Sequence, residues 1–239
     1  MDLAEGEMTR KMDLDGKAAR LAGLMYLGTI GFGLYAEIGV RRALIRRDDP
    51  TATAQAIFDH LSTFRIGLVA DLMMLVCYVV VAALFYSLFR DVSRRVSVTA
   101  AAFSMIGIAS LATACLLLLF PVRMADLGLP LETVAAMMMV VIRVHGDGYN
   151  ISLVFFGIYC LLLAWLIWRS TFVPKAIGAL MAIAGLCYLV NSLARLGWPD
   201  IAAMLPAEIM YPTLLGELAL ALWLAVFGKG RAKAPAPPP

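Results

Sequence analysis

The chain has 239 residues, of which 62% are apolar and only 15% are charged, whereas an ordinary soluble domain is about 45–50% apolar and about 25% charged. With a mean hydropathy of +0.85, a soluble fold could not hide so much apolar surface, and the disordered and disulfide-rich secreted classes are excluded as well. The formal net charge of +3 gives no support to a nucleic-acid partner. The composition therefore predicts an integral membrane protein.

Six apolar runs are long enough to cross a bilayer, whose hydrocarbon core of about 30 Å requires about 20 helical residues. Lipid cannot satisfy backbone hydrogen bonds, so runs of this length are expected to be helical. The runs cover residues 18–40, 66–89, 97–120, 149–168, 174–194 and 207–227. The predicted fold is an all-α, polytopic bundle of six transmembrane helices over residues 18–228.

The two ends of the chain lie outside this bundle. Residues 1–17 are polar and mixed in charge and lack the apolar core of a signal peptide, which predicts a cytoplasmic N-terminal segment. The other end, residues 229–239, is rich in Pro and Ala and is predicted to be a disordered cytoplasmic tail.

The loop over residues 41–65 contains a predicted short helix. Asp49 and Pro50 form a helix start, with a capping side chain followed by Pro in the first turn. Ile57, Leu61 and Phe64 then fall on one face of that helix. The pattern predicts an amphipathic helix lying on the outer surface; the alternative is a simple solvated connector.

A second short segment, residues 131–144, is apolar nearly all round. It has 14 residues and ends within the polar stretch Arg143-Val144-His145-Gly146, and as a helix it would reach only about 21 Å. That length suits an interfacial or re-entrant helix better than a seventh span.

The distribution of Lys and Arg predicts the orientation, because these residues accumulate in cytoplasmic loops. With six spans and the N-terminus inside, 12 of the 20 basic residues lie inside. The other 8 lie outside: Arg41, Arg42, Arg46, Arg47, Arg65, Arg123, Arg143 and Arg195. A seventh span would reverse the bias to 9 inside and 11 outside. We therefore predict both termini inside, with Arg41, Arg42, Arg46 and Arg47 contacting lipid head groups.

Polar residues within the spans cluster toward the predicted outer side. Such residues are costly in lipid, so they usually face the bundle interior and pair with one another. The candidate residues of an outward-facing polar pocket are Glu37, Arg65, Asp71, His145, Asp147, Tyr149, Asn150, Asn191, Arg195 and Glu217. Of these, we expect Glu37, Arg65, Asp71 and Arg195 to form one contiguous network. The alternative is a set of structural ion pairs and helix caps, in which Asp147 and Asn150 are only capping residues.

Glu217 is the deepest of these residues. It lies about 15 Å down the sixth span, close to the midplane. A carboxyl group there must be neutral or paired, so we expect Glu217 to face the bundle interior and to be neutral at pH 7 unless an arginine reaches it. A titrating carboxyl group at this depth is what a proton-coupled carrier requires; a neutral acid bonded to a neighbouring helix is the structural alternative.

No pattern for catalysis or metal binding is convincing. Zinc requires three or four ligands, and besides His145 the chain has only His60. The four cysteines, Cys77, Cys115, Cys160 and Cys187, lie singly inside apolar runs and are interpreted as small buried residues. We therefore assign no catalytic residue, no metal ligand and no cofactor.

Several motifs of the chain resemble one bacterial family of integral membrane proteins of unknown function, DUF4386. They are Ala19–Leu27, the stretch from His145 to Gly157, Arg169–Gly178 and Ala184–Leu189, within a resemblance that covers about residues 17–228. The resemblance implies a multi-span protein of the bacterial inner membrane and carries over no catalytic role. It also implies that His145 and Tyr149 are family features.

The functional hypothesis from the sequence is a protein that binds or transports a small molecule or lipid through a pocket open to the extracytoplasmic side. Its expected partners are membrane lipids and a small-molecule ligand. A structural or regulatory membrane protein without a ligand is the first alternative, and an intramembrane metal-assisted enzyme is the second.

Overall fold

We analysed a computed structural model that describes residues 2–125 and 127–228, and the side chains of 14–125, 127–206 and 208–228. The helices are α1 (Asp2–Leu34), α2 (Arg42–Leu44), α3 (Pro50–Asp59), α4 (Leu61–Phe89), α5 (Arg94–Leu117), α6 (Leu119–Met124), α7 (Leu131–Arg169), α8 (Lys175–Gly197), α9 (Pro199–Met204) and α10 (Tyr211–Phe227). A π-helical turn, Tyr35–Arg41, joins α1 to α2, and a 3₁₀ turn, Ala207–Met210, precedes α10. The tail predicted to be disordered, 229–239, lies outside the described residues.

The prediction of an all-α fold with six membrane-length helices is confirmed. The described residues contain six helical stretches long and apolar enough to cross a membrane: Leu14–Leu44, Leu61–Phe89, Arg94–Met124, Leu131–Arg169, Lys175–Gly197 and Glu208–Phe227. The first four extend beyond the predicted bounds. We call the face that carries α3 and α9 the outer face, following the sequence prediction, and the opposite face the inner face.

The six spans form a closed ring in chain order. α4 packs on α5, α5 on α7, α7 on α8 and α8 on α10, and α1 closes the ring by packing on both α10 and α4. The core inside this ring includes Tyr26, Phe85, Phe156, Leu163 and Leu220, all at most 5% exposed. The ring brings polar residues from distant parts of the sequence to one interior.

The segment 131–144 is not a separate interfacial or re-entrant helix. It is the first part of α7, which continues to Arg169 without a break and has a length of about 58 Å. The helix continues through Gly146 and Gly148, and the small residue at position 148 allows α5 to approach closely. A Cβ atom at Gly148 would lie 2.9 Å from the Ala114 Cβ atom of α5.

The helix predicted over the loop 41–65 exists as α3, but its environment differs from the prediction. The Asp49 side chain caps it, since its Oδ1 atom accepts from the Ala52 N–H at 2.8 Å. Ala54 and Ile57 are fully buried in a second core whose other members include Val134 and Met138 of α7. The apolar face of α3 therefore packs on the outer part of α7, and we call this outer group of helices (α2, α3, α6 and the start of α7) the outer cap.

The alternation of the spans makes the orientation testable. Asp49 and Asp200 lie at the ends of spans on the outer face, and Ser93 lies between α4 and α5 on the inner face. In a cysteine-free background, we expect D49C and D200C to react with a membrane-impermeant maleimide on intact cells, and S93C to react only after permeabilisation. Labelling of S93C but not D200C on intact cells would contradict the predicted orientation.

Candidate functional site

A buried group of three charged side chains lies at the outer end of the bundle. The Arg41 guanidinium donates to both carboxylate oxygens of Asp71, from Nη1 at 2.5 Å and Nη2 at 3.2 Å, and from Nε to Glu37 Oε2 at 2.9 Å. Arg41 is 8% exposed and Asp71 is 2% exposed. We call Glu37, Arg41 and Asp71 the outer triad. Its two-pronged Arg–carboxylate geometry is the strongest form of side-chain ion pair.

The π-helical turn positions the outer triad. The Arg42 N–H donates to the Glu37 carbonyl oxygen, which is the wider hydrogen-bond spacing of a π-helix. Val40, one residue before Arg41, packs against Gly67 of α4, where a Cβ atom would lie only 3.0 Å from Val40 Cγ1. This contact holds the turn directly against the helix that carries Asp71. Turns of this kind are frequent at functional sites.

The structure corrects the sequence interpretation of Arg41 as a lipid head-group contact. Arg41 is buried and bound to Asp71, whereas Arg42, Arg46 and Arg47 are exposed. The sequence contained a signal for this difference, because Glu37 and Arg41 are four residues apart and share one helical face. The partner on α4 could not be identified, since its position depends on how two helices pack.

The predicted network of Glu37, Arg65, Asp71 and Arg195 is wrong as a single unit. Glu37 and Asp71 share Arg41, but Arg195 donates from Nε to Asn191 Oδ1 at 3.0 Å in a separate group. Arg65 is exposed, and its side chain makes no hydrogen bond or ion pair with another described residue. Arg65 and Asp71 are six positions apart in the sequence, so their side chains leave α4 in directions about 120° apart around its axis.

The polar residues of α7 do not have the pocket and capping roles that were considered for them together. His145 is buried, and its Nδ1 atom lies 3.0 Å from the Ala114 carbonyl oxygen, so Nδ1 carries the hydrogen. The ring centroids of His145 and Tyr149 are 6.5 Å apart. Asp147 is exposed, without a hydrogen bond to any described residue. Because α7 is continuous here, Asp147 and Asn150 are inside a helix and do not cap one.

Asn150 and Asn191 connect α7 with α8 near the outer end of the bundle. The Asn191 amide nitrogen lies 3.5 Å from Asn150 Oδ1, and Asn150 in turn donates to the Gly146 carbonyl oxygen at 2.9 Å. Arg195 extends this group toward the outer surface through Asn191. Of the predicted pocket residues, Asn150 of α7 is thus brought together with Asn191 and Arg195 of α8.

Glu217 lies at the centre of the bundle, as predicted. It is 7% exposed and about 16 Å from the inner end of its helix at Gly228. The Tyr188 hydroxyl donates to Glu217 Oε1 at 2.9 Å. No Lys or Arg forms an ion pair with Glu217 among the described residues. The interior placement is confirmed; the neutral state at pH 7 stays a prediction.

Several buried hydroxyl groups near the bundle centre lack a hydrogen-bond partner. In the part of the chain that the structure describes, these include the side-chain oxygens of Tyr159 and Ser192. Tyr26 and Tyr159 are 0% and 2% exposed, and Tyr26 lies close to Glu217. Buried polar groups are nearly always hydrogen-bonded, so hydroxyls without a partner in the same interior as a carboxyl group indicate that water or a ligand can be accommodated there.

One face of α8 connects Glu217 with the group formed by Asn191 and Arg195. The sequence analysis predicted only part of this face. Tyr188, Asn191, Ser192 and Arg195 are spaced three and four residues apart, so they form one polar stripe on an apolar helix. The stripe begins at the Glu217 contact and ends at the outer surface. Its spacing was visible in the sequence, but Tyr188 and Ser192 are ordinary in apolar spans and only Asn191 and Arg195 were chosen.

The alternative of a metal-assisted enzyme has no site in the described residues. Nowhere among them do three His, Cys, Asp or Glu side chains lie close enough together to hold a metal ion. His145 binds a backbone carbonyl, and the other histidine, His60, is exposed at the end of α3.

Residues 21–228 match the family described as a domain of unknown function, DUF4386. The chain belongs to the DUF4386 family. The matched segment contains the outer triad, the polar stripe and Glu217, so the polar site of this DUF4386 protein lies entirely within the family domain.

Neither the relatives nor the solved structures indicate an activity. A protein of Archaeoglobus fulgidus, described as uncharacterised, is 34% identical over 80 residues, which is 34% of this chain and 46% of that protein. The chain thus spans about half the length of this relative. No solved structure matches the chain. The DUF4386 protein is a polytopic membrane protein, and its activity must be inferred from the site.

Proposed function

We propose that this protein binds a small molecule or a lipid at the polar groups on its outer side and transports it across the membrane, with Glu217 as the innermost, proton-binding group. The observation that carries the proposal is the environment of Glu217. This carboxyl group is buried at the bundle centre, accepts from the Tyr188 hydroxyl at 2.9 Å, has the Tyr26 hydroxyl beside it, and shares the interior with the Tyr159 hydroxyl, which lacks a partner.

Buried polar groups of this kind are not expected in a bundle whose interior serves only packing. Each polar side chain in the hydrocarbon region costs free energy unless it is fully hydrogen-bonded. A polar ligand, or water that accompanies one, would satisfy the free hydroxyls when the bundle opens. The closed packing around Glu217 then corresponds to the unliganded state.

The route to Glu217 is the polar stripe of α8. Tyr188 contacts Glu217, Asn191 and Ser192 follow one turn outward, and Arg195 lies at the surface. The outer triad stands at the outer boundary on the other side of the ring. Helix movements that separate α1 from α4 would have to part Arg41 and Asp71, which makes the outer triad a candidate latch on the outer side.

A structural or regulatory role without a ligand is the second candidate. The observation in its favour is the complete pairing of the outer triad, in which Asp71 has both oxygens bound. Under this alternative the triad only joins the first two spans, and Glu217 is a neutral acid bonded to α8.

The proposed location is the bacterial inner membrane with both termini cytoplasmic. Its support is the bias of Lys and Arg in the sequence, since the six-span prediction assigns 12 of the 20 to the inner side.

Transport coupled to protons is tested in liposomes that contain purified protein and a trapped pH-sensitive dye. Amino acids, small organic amines and carboxylic acids are added outside, one class at a time. We expect at least one class to change the internal pH with wild-type protein and with E208Q, but not with E217Q. Glu208 is an exposed carboxylate at the outer end of the same span, so E208Q is the matched control. A pH change that E217Q retains would exclude Glu217 from coupling.

The charge state of Glu217 is tested by the pH dependence of stability. If Glu217 gains or loses a proton between about pH 5 and 9, the stability of the wild-type protein should have a pH-dependent component across that range, because protonation and folding are then linked. In E217Q this component is absent, because an amide does not titrate. The measurement is the thermal unfolding midpoint of wild type, E217Q and E208Q in detergent across this pH range. Identical profiles for all three proteins would mean that Glu217 has only a packing role and does not bind or release a proton in this pH range.

A further inference from the structure

A cavity on the inner face lies apart from the polar site. It is formed between the loop that joins α4 to α5 and the loop that joins α7 to α8, and its volume is about 480 Å³. Asp91 comes from the first loop, Thr171 and Phe172 come from the second, and Arg169 is the last residue of α7. The cavity is open to the surface and lies level with the ends of four spans.

The surroundings of this cavity are strongly basic. Five exposed cationic side chains occur on the two loops and the adjoining helix ends, against one carboxylate, Asp91. The cations are Arg90, Arg94, Arg95, Arg169 and Lys175. The first turns of α5 and α8 both begin here, at Arg94 and Lys175, so the positive ends of two helix dipoles add to the same field.

The cavity wall is held in place by contacts within the bundle. The Trp223 Nε1–H donates to the Phe172 carbonyl oxygen at 3.0 Å, and the Phe172 ring lies 5.1 Å from that of Phe89. Ser170 is buried and donates to the Ile167 carbonyl oxygen at 2.9 Å. The site is therefore preformed, which reduces the ordering cost of binding.

Arg169 is placed at the boundary between lipid and water. Its guanidinium lies over the Trp165 ring, 4.9 Å from the ring centroid. Trp165 and Trp168 are 40% and 55% exposed, and tryptophans in such positions lie at the level of the lipid head groups. An acyl chain could follow these rings while its head group reaches the cavity.

We propose that this cavity binds the head group of an anionic phospholipid, with Arg169 and the neighbouring cations on the phosphate. The Thr171 hydroxyl is a further donor to the phosphate. Asp91, on the other loop, accepts from a head-group hydroxyl, which fits a phosphoglycerol head group. Basic pockets between spans are suited to anionic head groups because the lipid phosphate lies at the same depth.

The test uses full-length protein stripped of lipid in detergent and native mass spectrometry to count bound molecules. The probes are phosphatidylglycerol, phosphatidylethanolamine and inorganic phosphate. Since each basic residue near a membrane surface contributes about 1 kcal/mol to binding anionic lipid, R169Q and K175Q should each lower phosphatidylglycerol binding about fivefold. R123Q removes an exposed arginine from the outer face and should leave binding unchanged.

Wild-type protein should prefer phosphatidylglycerol over phosphatidylethanolamine, and the preference should weaken at high salt. K175Q keeps the contact between Arg169 and Trp165. Its phosphatidylglycerol binding therefore tests the proposal even if R169Q fails to fold. Equal binding of the two lipids would overturn the proposal, and so would binding by both variants at the R123Q level. Inorganic phosphate that binds at millimolar concentration and displaces the lipid would identify a site for a free anion instead.

Discussion

Replacing Arg41 with methionine is expected to destabilise the protein by about 3–5 kcal/mol, the cost of leaving one member of a buried ion pair without its partner. Arg41 makes both hydrogen bonds of the Asp71 carboxylate, and Asp71 is 2% exposed. The measurement is the free energy of unfolding in mixed micelles of mild detergent and dodecyl sulfate.

Two variants make this result specific to the outer triad. R42M removes the neighbouring exposed arginine, whose contact with Glu37 is 3.5 Å, and should cost less than about 1 kcal/mol. The double variant R41M/D71L removes both charges and should recover most of the stability, since apolar replacements of a buried pair are often neutral. A loss in R41M no larger than in R42M would contradict the assignment, as would a double variant less stable than R41M.

Adding a single methyl group at Gly185 or Gly23 is expected to destabilise the bundle by about 1–3 kcal/mol, the usual cost of overpacking. A Cβ atom at Gly185 would lie 2.7 Å from the Gly157 carbonyl oxygen of α7, and one at Gly23 would lie 2.6 Å from the Ala221 carbonyl oxygen of α10. The obstacles are backbone atoms, which cannot rotate away. Whole helices would have to move apart, and small residues at such crossings are what allow spans to pack.

Gly31 and Gly146 provide matched controls for this prediction, because a Cβ atom at either would meet no atom within 4 Å. G31A and G146A should be neutral or slightly stabilising, since Ala is favoured over Gly in a helix by about 0.8–1.0 kcal/mol. The four variants differ from wild type by the same methyl group and are compared by the same unfolding titration. If G185A and G23A unfold like G31A, these helix contacts are looser than the structure indicates.

The candidate site could be predicted only in part, and the reason differs between residues. Glu217 was placed correctly in the interior because its depth in an apolar helix leaves it no other inexpensive position. Glu37 and Asp71 were chosen for the same reason, but their partner Arg41 was assigned to the lipid surface. Which of several neighbouring arginines faces a second helix depends on the π-helical turn at Tyr35–Arg41, and nothing in local composition specifies that turn.

Length, apolarity and charge bias by themselves determined that this protein is a bundle of six membrane-crossing helices, because the bilayer restricts an apolar chain to helices about 20 residues long or longer. The Asp49 cap and the existence of α3 also followed from local rules. Only the tertiary structure decided that 131–144 continues α7, that α3 packs on it, that Arg41 binds Asp71 and that the ring closes between α1 and α10. Those features depend on contacts between segments far apart in the chain, and the energy of such contacts is set by the shape of both partners.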